Sequence, residues 1–138
     1  MTVTDLLVDT SVAVALVLVD HEQHETTVHA VGDRRVGLSG HAAFETFSVL
    51  TRLPPPLRRT PDTVGRILTR NFPASCFLDA TRALELMDRL SQLGIAGGAV
   101  YDALVGAAAV QHRLRLATRD RRAIGTYRAL DVDVEVMA

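Results

Sequence analysis

Four carboxylates of this chain lie beside apolar or small residues, where a charge is costly to bury unless it is paired or binds a cation. The four residues are Asp9, Glu45, Asp102 and Asp120. Asp9 and Asp120 each follow an apolar run, and Glu45 follows Ala-Ala-Phe. Asp102 is the only charged residue between positions 95 and 110. Isolated acids of this kind, recurring in four separate segments, indicate a shared chemical role.

Simpler explanations exist for three of these acids. Asp9 can cap the helix that follows it, because Asp is a favoured residue at a helix N-terminus. Glu45 can be a solvated helix residue, and Asp120 can form a surface ion pair with the arginines that flank it or cap the next helix. Asp102 is the hardest to explain in this way, because its neighbours are almost all apolar.

Several carboxylates in one pocket repel each other, and their pKa values rise unless a cation compensates. Mg²⁺ or Mn²⁺ accepts oxygen ligands and keeps several waters. Such a site can polarise a phosphodiester and lower the pKa of a bound water. Three neighbouring hydroxyl residues, Thr10, Ser11 and Thr118, are candidates to hydrogen-bond the carboxylates or a bound water.

The elements that must position these acids alternate along the chain. Apolar runs predict strands at 6–9, 36–39, 75–78, 114–118 and 132–136, with helices between nearly all of them. This order predicts a single α/β domain over residues 1–138, with a mostly parallel central sheet covered by helices on both faces. In such a sheet the four acids share the edge formed by the carboxyl ends of the strands.

Apolar spacing also predicts which helix faces point into the core. In the helix after the second strand, Phe44, Phe47, Val49 and Leu50 form the predicted inner side. In the helix that starts near position 79, Leu84, Met87 and Leu90 recur at three-residue spacing, with Leu86 and Leu93 beside them.

Composition limits the class of protein. The chain has 138 residues, of which 48% are hydrophobic, with a mean hydropathy of +0.18, so it suits a folded domain. The longest apolar run, 12–19, is too short to span a bilayer, and no basic segment typical of an export signal precedes it. One cysteine excludes an internal disulfide framework and a cysteine zinc cluster. A cytoplasmic location, with no membrane partner, fits these features.

All 15 basic residues are arginine, and 16 acids give a net charge of −1, so any contact with nucleic acid must come from a local basic face. Two arginine-rich stretches could steer a nucleic-acid backbone, or could simply be solvated surface. Their residues are Arg58, Arg59, Arg119, Arg121 and Arg122. Few aromatic residues and no tryptophan argue against a base-stacking platform.

Four segments of the chain resemble the four acidic motifs of PIN-domain nucleases, and more narrowly those of the VapC-type toxins of bacterial toxin–antitoxin pairs. The segments are Leu7-Val8-Asp9-Thr10-Ser11, Ala43-Phe44-Glu45, Tyr101-Asp102-Ala103-Leu104-Val105 and Thr118-Arg119-Asp120-Arg121-Arg122. The resemblance covers nearly the whole chain in size, element order and motif order. Before the third motif, Gly97-Gly98 stands where many relatives carry more polar residues. This departure affects the expected shape of the mouth of the site.

The resemblance implies an α/β/α sandwich and a Mg²⁺- or Mn²⁺-dependent endoribonuclease that cleaves a structured RNA, of the tRNA or rRNA class, by a metal-activated water. Asp9, Glu45, Asp102 and Asp120 would be the catalytic metal ligands. The family further implies a homodimer, and a VapB-type antitoxin that binds the toxin near its active site.

Other functions remain open from the sequence. The first alternative is a catalytically silent PIN-type scaffold or a regulatory binding module. A receiver-like signalling domain also gathers acids around Mg²⁺, but it usually needs a lysine, and this chain has none. His21 and His24 suggest a zinc hydrolase, yet they are three residues apart, whereas the H-E-x-x-H motif places its histidines four apart.

Overall fold

The computed structural model describes residues 3–138 and contains short strands connected by helices. The strands are β1 (Leu6–Val8), β2 (Val36–Leu38), β3 (Leu116–Thr118) and β4 (Val134–Val136). The helices are α1 (Thr10–Val17), α2 (His24–Val31), α3 (Ala42–Thr51), α4 (Pro61–Asn71), α5 (Ala80–Leu93), α6 (Ala99–Gln111) and α7 (Ile124–Ala129). Within residues 3–138 we find no helix whose length and apolar character would let it cross a membrane.

The four strands form one parallel sheet in the order β2-β1-β3-β4. β1 lies inside the sheet, so Leu7 pairs with Gly37 on one side and with Leu116 on the other. Because all the strands run in the same direction, their carboxyl ends lie together, and we call this side of the sheet the carboxyl edge.

Successive side chains of β1 face opposite sides of the sheet and enter two separate cores. Leu7 packs in a core that includes residues of α5, α6 and α7. Leu6 and Val8 pack in a second core that includes residues of α1 and α2. The predicted fold class, an α/β/α sandwich with a parallel central sheet, is therefore confirmed.

The strand predicted at 75–78 is wrong. This segment makes only an isolated parallel bridge, in which Cys76 pairs with Ser39. The Leu38 amide donates to the Ser75 hydroxyl at 2.9 Å, so a side chain takes the place of a backbone acceptor. The Cys76 amide donates to the Leu38 carbonyl at 3.1 Å, but the pairing does not extend. The segment follows the outer side of β2 without forming a fifth strand.

The predicted inner faces of two helices also need correction. Phe44 of α3 is exposed, as are Leu84, Met87 and Leu93 of α5. Of the predicted inner residues of α5, Leu86 and Leu90 make the core contacts. A helix has 3.6 residues per turn, so a strict three-residue series drifts around the axis, whereas the four-residue step from Leu86 to Leu90 stays on one face.

An ion pair connects the two outer strands of the sheet. Arg34 lies just before β2, and Glu135 lies in β4. The Arg34 guanidinium donates two hydrogen bonds of 2.8 Å to the carboxylate of Glu135. This bidentate contact, on two partly buried side chains, holds the pKa of Glu135 below its usual range.

Replacing Glu135 by Gln tests the contribution of this pair to stability. A carboxyl whose pKa is lowered by folding stabilises the folded chain above the unfolded pKa of about 4.3, and the gain is lost as the pH falls through the lowered value. We expect Glu135→Gln to lower the free energy of unfolding by about 1 kcal/mol near pH 7 and by progressively less below pH 4. Urea unfolding across this range measures the effect. Glu85→Gln, which breaks an exposed pair with Arg82, is the control and should have almost no effect.

Candidate active site

Asp9 lies at the carboxyl end of β1 and is buried, with 4% of its surface exposed. Its Oδ1 accepts hydrogen bonds from the Ser11 hydroxyl at 2.6 Å and from the Val12 amide at 3.3 Å. Its Oδ2 accepts a hydrogen bond from the Tyr127 hydroxyl at 2.9 Å. Burial raises the pKa of Asp9, and these hydrogen bonds, together with the nearby Thr118 hydroxyl, act in the opposite direction.

The hydrogen bond from Val12 makes Asp9 the N-cap of α1. The capping role that the sequence left open for Asp9 is therefore real. A capping Asp is favoured by the positive end of the helix dipole. Capping uses Oδ1 only, because Oδ2 lies against Tyr127 on the other side of the carboxylate. The burial of Asp9 and its contact with Tyr127 are not needed for capping.

Glu45 is carried to the carboxyl edge by α3, which starts four residues after β2 ends. Burial raises the pKa of Glu45; His41 opposes the rise, and the charges of Asp102 and Asp9 add to it. The turn before α3 depends on Gly40, which has a φ of +52° and approaches α6 so closely that a Cβ would lie 3.0 Å from the Ala108 side chain.

Asp102 lies in the first turn of α6 and is half-buried. Burial raises its pKa, the charges of Asp120 and Asp9 raise it further, and Arg122 lowers it. The position of α6 relative to β2 is fixed by a buried hydrogen bond, in which the Ser39 hydroxyl donates to a carbonyl of α6 at 2.7 Å. The helices that carry Glu45 and Asp102 are therefore tied to the same end of β2.

Asp120 follows β3 by two residues and forms local contacts. Its Oδ1 accepts a hydrogen bond from the Arg122 amide at 3.0 Å and lies 3.5 Å from Nε of the same arginine. Its own amide donates to the Thr118 hydroxyl at 3.0 Å. The surface ion pair that the sequence left open is therefore present, and Asp120 still raises the pKa of Asp102 by its charge.

The four carboxylates thus come from four elements and influence each other across the carboxyl edge. Across the described range, 3–138, no three His, Cys, Asp or Glu side chains are grouped tightly enough to enclose a metal ion as they stand. The donor set itself fits a hard divalent cation, because it consists of carboxylate oxygens, and three of the four acids have raised pKa values that a cation would lower.

Two of the three hydroxyl residues predicted to support the carboxylates do so. Ser11 donates to Asp9, and its oxygen accepts a hydrogen bond from the Arg119 amide at 2.8 Å, which joins the ends of β1 and β3. Thr118 is fully buried and lies near enough to Asp9 to lower its pKa. Thr10 differs, because its buried hydroxyl oxygen makes no hydrogen bond to any residue in the described part of the chain. Thr10 therefore does not contact a carboxylate, and its contact with a bound water stays a prediction.

Tyr127 is a site residue that the sequence does not reveal. It is 118 positions from Asp9 along the chain, and no local pattern links the two residues. Its ring packs against α6 at Gly106, where a Cβ would lie 3.1 Å from the ring and 3.0 Å from the Val132 side chain. The glycine therefore leaves the space in which the Tyr127 hydroxyl reaches Asp9. The one sign of this contact in the sequence is Gly106, because glycine in the middle of a helix lowers helix stability and is expected there only where close packing requires it.

The arginines after β3 have two different environments. Arg119 donates to the carbonyl of Ala138 at 3.1 and 3.2 Å, so this side chain is held against the segment that follows β4. Arg121 and Arg122 are exposed next to Asp120. Positive charge is therefore available beside the acids from these two residues.

Arg58 and Arg59 lie on the loop between α3 and α4. The Arg58 side chain donates to the Leu53 carbonyl at 2.8 Å, and Arg59 donates to the Leu57 carbonyl at 2.7 Å. Both are exposed, and within residues 3–138 no hydrogen bond or ion pair joins either of them to the four acids. Their proposed contact with a nucleic-acid backbone stays a prediction.

The two histidines of the zinc alternative serve local structure. His21 Nδ1 accepts a hydrogen bond from the Gln23 amide at 3.0 Å, and His24 Nδ1 lies 2.8 Å from the Ala15 carbonyl oxygen. The second contact requires a proton on Nδ1 of His24, since a carbonyl only accepts. The two histidines therefore help to fix the connection between α1 and α2.

The chain is similar to known proteins along most of its length. The family model described as PIN domain matches residues 6–129. The chain is similar to ribonuclease VapC27 of Mycobacterium tuberculosis, with 48% identity over 133 residues that cover 96% of this chain and 97% of the relative.

Two solved structures of low sequence identity share the fold. One is VapBC2 from Rickettsia felis bound to a DNA fragment from their promoter, with a TM-score of 0.68, 14% identity and coverage of 96% of this chain and 98% of that chain. The other is Mycobacterium tuberculosis VapC20, a sarcin-ricin loop cleaving toxin, with a TM-score of 0.66, 20% identity and coverage of 87% and 93%.

Proposed function

The chain belongs to the PIN-domain family, within which it is of the VapC type, and we propose that it is a divalent-metal-dependent endoribonuclease, the toxin of a toxin–antitoxin pair. The observation that carries the proposal is the arrangement of acids at the carboxyl edge. Four carboxylates from four elements interact there, and three of them have raised pKa values. A relative with 48% identity over most of both chains is a ribonuclease, which supports the same reaction for this chain.

We propose Mg²⁺ or Mn²⁺ as the cofactor, held by Asp9, Glu45, Asp102 and Asp120. When bound, a divalent cation supplies polarisation of the scissile phosphodiester and lowers the pKa of a water. Carboxylate oxygens are the ligands that both ions prefer, and repulsion among the acids favours the binding of positive charge.

The chain's own groups prepare this site. Asp9 is shielded from water, and its two oxygens are fixed by donors on both sides, so it is the best-ordered of the four ligands. Glu45, Asp102 and Asp120 are more exposed and have fewer fixed contacts, which leaves them free to adjust around an ion. Arg121 and Arg122 place positive charge beside the acids, where they would attract the phosphate backbone of RNA.

We propose a structured RNA of the tRNA or rRNA class as the substrate. One structural neighbour, VapC20, is a toxin that cleaves the sarcin-ricin loop, and this likeness supports the proposal. Sequence identity to that neighbour is 20%, so it indicates a class of substrate and not a cleavage site.

We propose a VapB-type antitoxin and a second copy of this chain as protein partners. A structural neighbour, VapBC2, is bound to a promoter DNA fragment, which is consistent with a toxin that works in such an assembly. The exposed apolar residues Leu84 and Met87 of α5 offer a surface that a protein partner could cover. A cytoplasmic location would give the chain access to RNA.

Incubation of the purified chain with total RNA tests the activity. Discrete fragments should appear with Mg²⁺ or Mn²⁺ and should be absent when EDTA is added. Intact RNA under both metal conditions would contradict the proposal and would favour a catalytically silent PIN-type scaffold. Mapping the fragment ends identifies the RNA.

Tyr127→Phe tests the role of the hydroxyl that orients Asp9. Loss of a residue that orients a metal ligand typically costs 10- to 100-fold in metal affinity or activity. We expect Mn²⁺ to bind about tenfold more weakly and RNA cleavage to fall by a similar factor. Isothermal titration with Mn²⁺ measures the first and fragment yield the second.

The control for this variant is Thr27→Val. It also removes a buried hydroxyl, but the Thr27 hydroxyl makes no hydrogen bond within the described residues. Thr27→Val should therefore leave Mn²⁺ affinity unchanged and cost little stability. Equal Mn²⁺ affinity for Tyr127→Phe and the unaltered chain would show that Tyr127 does not position a metal ligand.

A further inference from the structure

Three exposed aromatic side chains lie together next to the candidate active site. The chain has six phenylalanine and tyrosine residues in total. Phe44, Phe77 and Tyr101 have 64%, 47% and 51% of their surface exposed, whereas the other three are buried or half-buried. Exposing large aromatic rings gives up the free energy of burying them. Clustering of all three at one place is therefore a feature that needs a function.

These rings form a continuous surface with His41, and we call the set of four the aromatic platform. The His41 and Tyr101 rings are stacked, with centroids 5.0 Å apart and planes inclined by 22°. Phe44 lies 6.4 Å from His41 and 6.1 Å from Phe77, with tilted planes in both pairs. Three separate segments supply the platform, so its assembly depends on the tertiary fold.

The platform is continuous with the acids at the carboxyl edge. Tyr101 immediately precedes Asp102, and Phe44 immediately precedes Glu45. Glu45, Phe44 and Tyr101 line one open groove, which also contains Arg52. The groove therefore offers aromatic faces and a guanidinium beside a carboxylate proposed to hold the metal ion.

We propose that the aromatic platform binds an unpaired nucleobase of the RNA next to the phosphate that is cleaved. The proposal rests on the ribonuclease function proposed above and assigns to this surface the base that adjoins the cleaved phosphate. Every nucleobase has a flat face that stacks on aromatic side chains, and in a duplex these faces are covered by neighbouring bases. Arg52 lines the same groove, and a guanidinium beside aromatic faces suits a base with its phosphate better than it suits an apolar protein segment.

Leucine and phenylalanine variants separate stacking from simple apolar contact. Tyr101→Leu and Phe44→Leu keep an apolar side chain and remove the flat ring, whereas Tyr101→Phe keeps the ring. Val28→Ala changes an exposed apolar residue on α2 and is the control outside the groove. Circular dichroism and thermal melting check that each variant is folded, which we expect because Tyr101 and Phe44 are largely exposed.

Binding is measured in EDTA, so that divalent-dependent cleavage does not interfere, with a fluorescein-labelled eight-nucleotide single-stranded RNA and a duplex of equal length. We expect the unaltered chain to prefer the single strand, and each leucine variant to bind it about tenfold more weakly. Tyr101→Phe and Val28→Ala should bind within about twofold of the unaltered chain. Leucine variants that bind the single strand as tightly as the unaltered chain would overturn the proposal and favour a protein partner for this surface.

The cleavage assay with total RNA separates this inference from the proposed function. Metal-dependent fragments from the unaltered chain, together with unchanged single-strand binding by the leucine variants, would reject the platform alone. No fragments and no binding by the unaltered chain would reject both. Fragment ends that fall in unpaired regions, with lower yield from Tyr101→Leu, are the result that the proposal requires.

Discussion

Replacing Asp9 by Asn is expected to reduce RNA cleavage by about 10³-fold or more, the range seen when an essential catalytic side chain is removed. The substitution removes the negative charge and one of the two oxygens at the best-ordered position of the carboxyl edge. An amide is a weak ligand for Mg²⁺ or Mn²⁺ compared with a carboxylate. The assay is fragment yield from total RNA at several Mn²⁺ concentrations.

The fold should survive this change. If the amide oxygen takes the place of Oδ1, it still accepts from Val12 and Ser11, and its NH₂ group faces the Tyr127 oxygen, which can accept. Burial disfavours the charged form of Asp9, so a neutral side chain removes that cost. We therefore expect the free energy of unfolding to change by less than about 2 kcal/mol.

A matched control for this variant is Asp88→Asn, which removes an exposed acid of α5. It should leave cleavage unchanged, because Asp88 is not among the acids that act on one another at the carboxyl edge. If Asp9→Asn is folded and cleaves RNA as well as the Asp88→Asn variant, Asp9 is not a metal ligand, and its role is to cap α1.

The sequence predicts the fold class well, because its signals are local and repeat along the chain. Apolar runs alternate with helical segments, which determines a parallel sheet covered on both faces. The position of the acids follows from the same reasoning, since Asp9 directly follows β1 and Asp120 follows β3 by two residues. The segment at 75–78 has an apolar pattern typical of a strand, but whether it pairs fully depends on its neighbour, and a serine hydroxyl occupies one of the hydrogen-bonding positions.

The features that the sequence does not predict depend on contacts between distant segments. Tyr127 reaches Asp9 only because α7 packs on α6, and the aromatic platform exists only because α3 and α6 start at the same edge of the sheet. Composition even argues against stacking, since six aromatic residues are few. What matters is that three of them are exposed together, and composition carries no information about placement.

A second large effect is expected at Gly37, in the middle of β2. A Cβ on this residue would overlap the carbonyl group of Ala74, and its next contact would be the backbone of Ser75. Backbone atoms cannot turn away as a side chain can, so the segment at 74–76 would have to move away from the sheet. We expect Gly37→Ala to lower the free energy of unfolding by about 3 kcal/mol or more, at the upper end for overpacked sites.

Urea unfolding of Gly37→Ala measures this loss, and Gly65→Ala is its control. Gly65 lies inside α4, and a Cβ added there would have no neighbouring atom within 4 Å, so alanine should raise stability by about 0.5 to 1 kcal/mol through helix propensity. The effect at Gly37 should also reach the candidate site. The Cys76 carbonyl accepts from the Gly40 amide at 2.7 Å, and the turn at Gly40 sets the start of α3 and hence the position of Glu45. A Gly37→Ala chain as stable as the unaltered one would show that the 74–76 segment is free to shift and does not hold this turn in place.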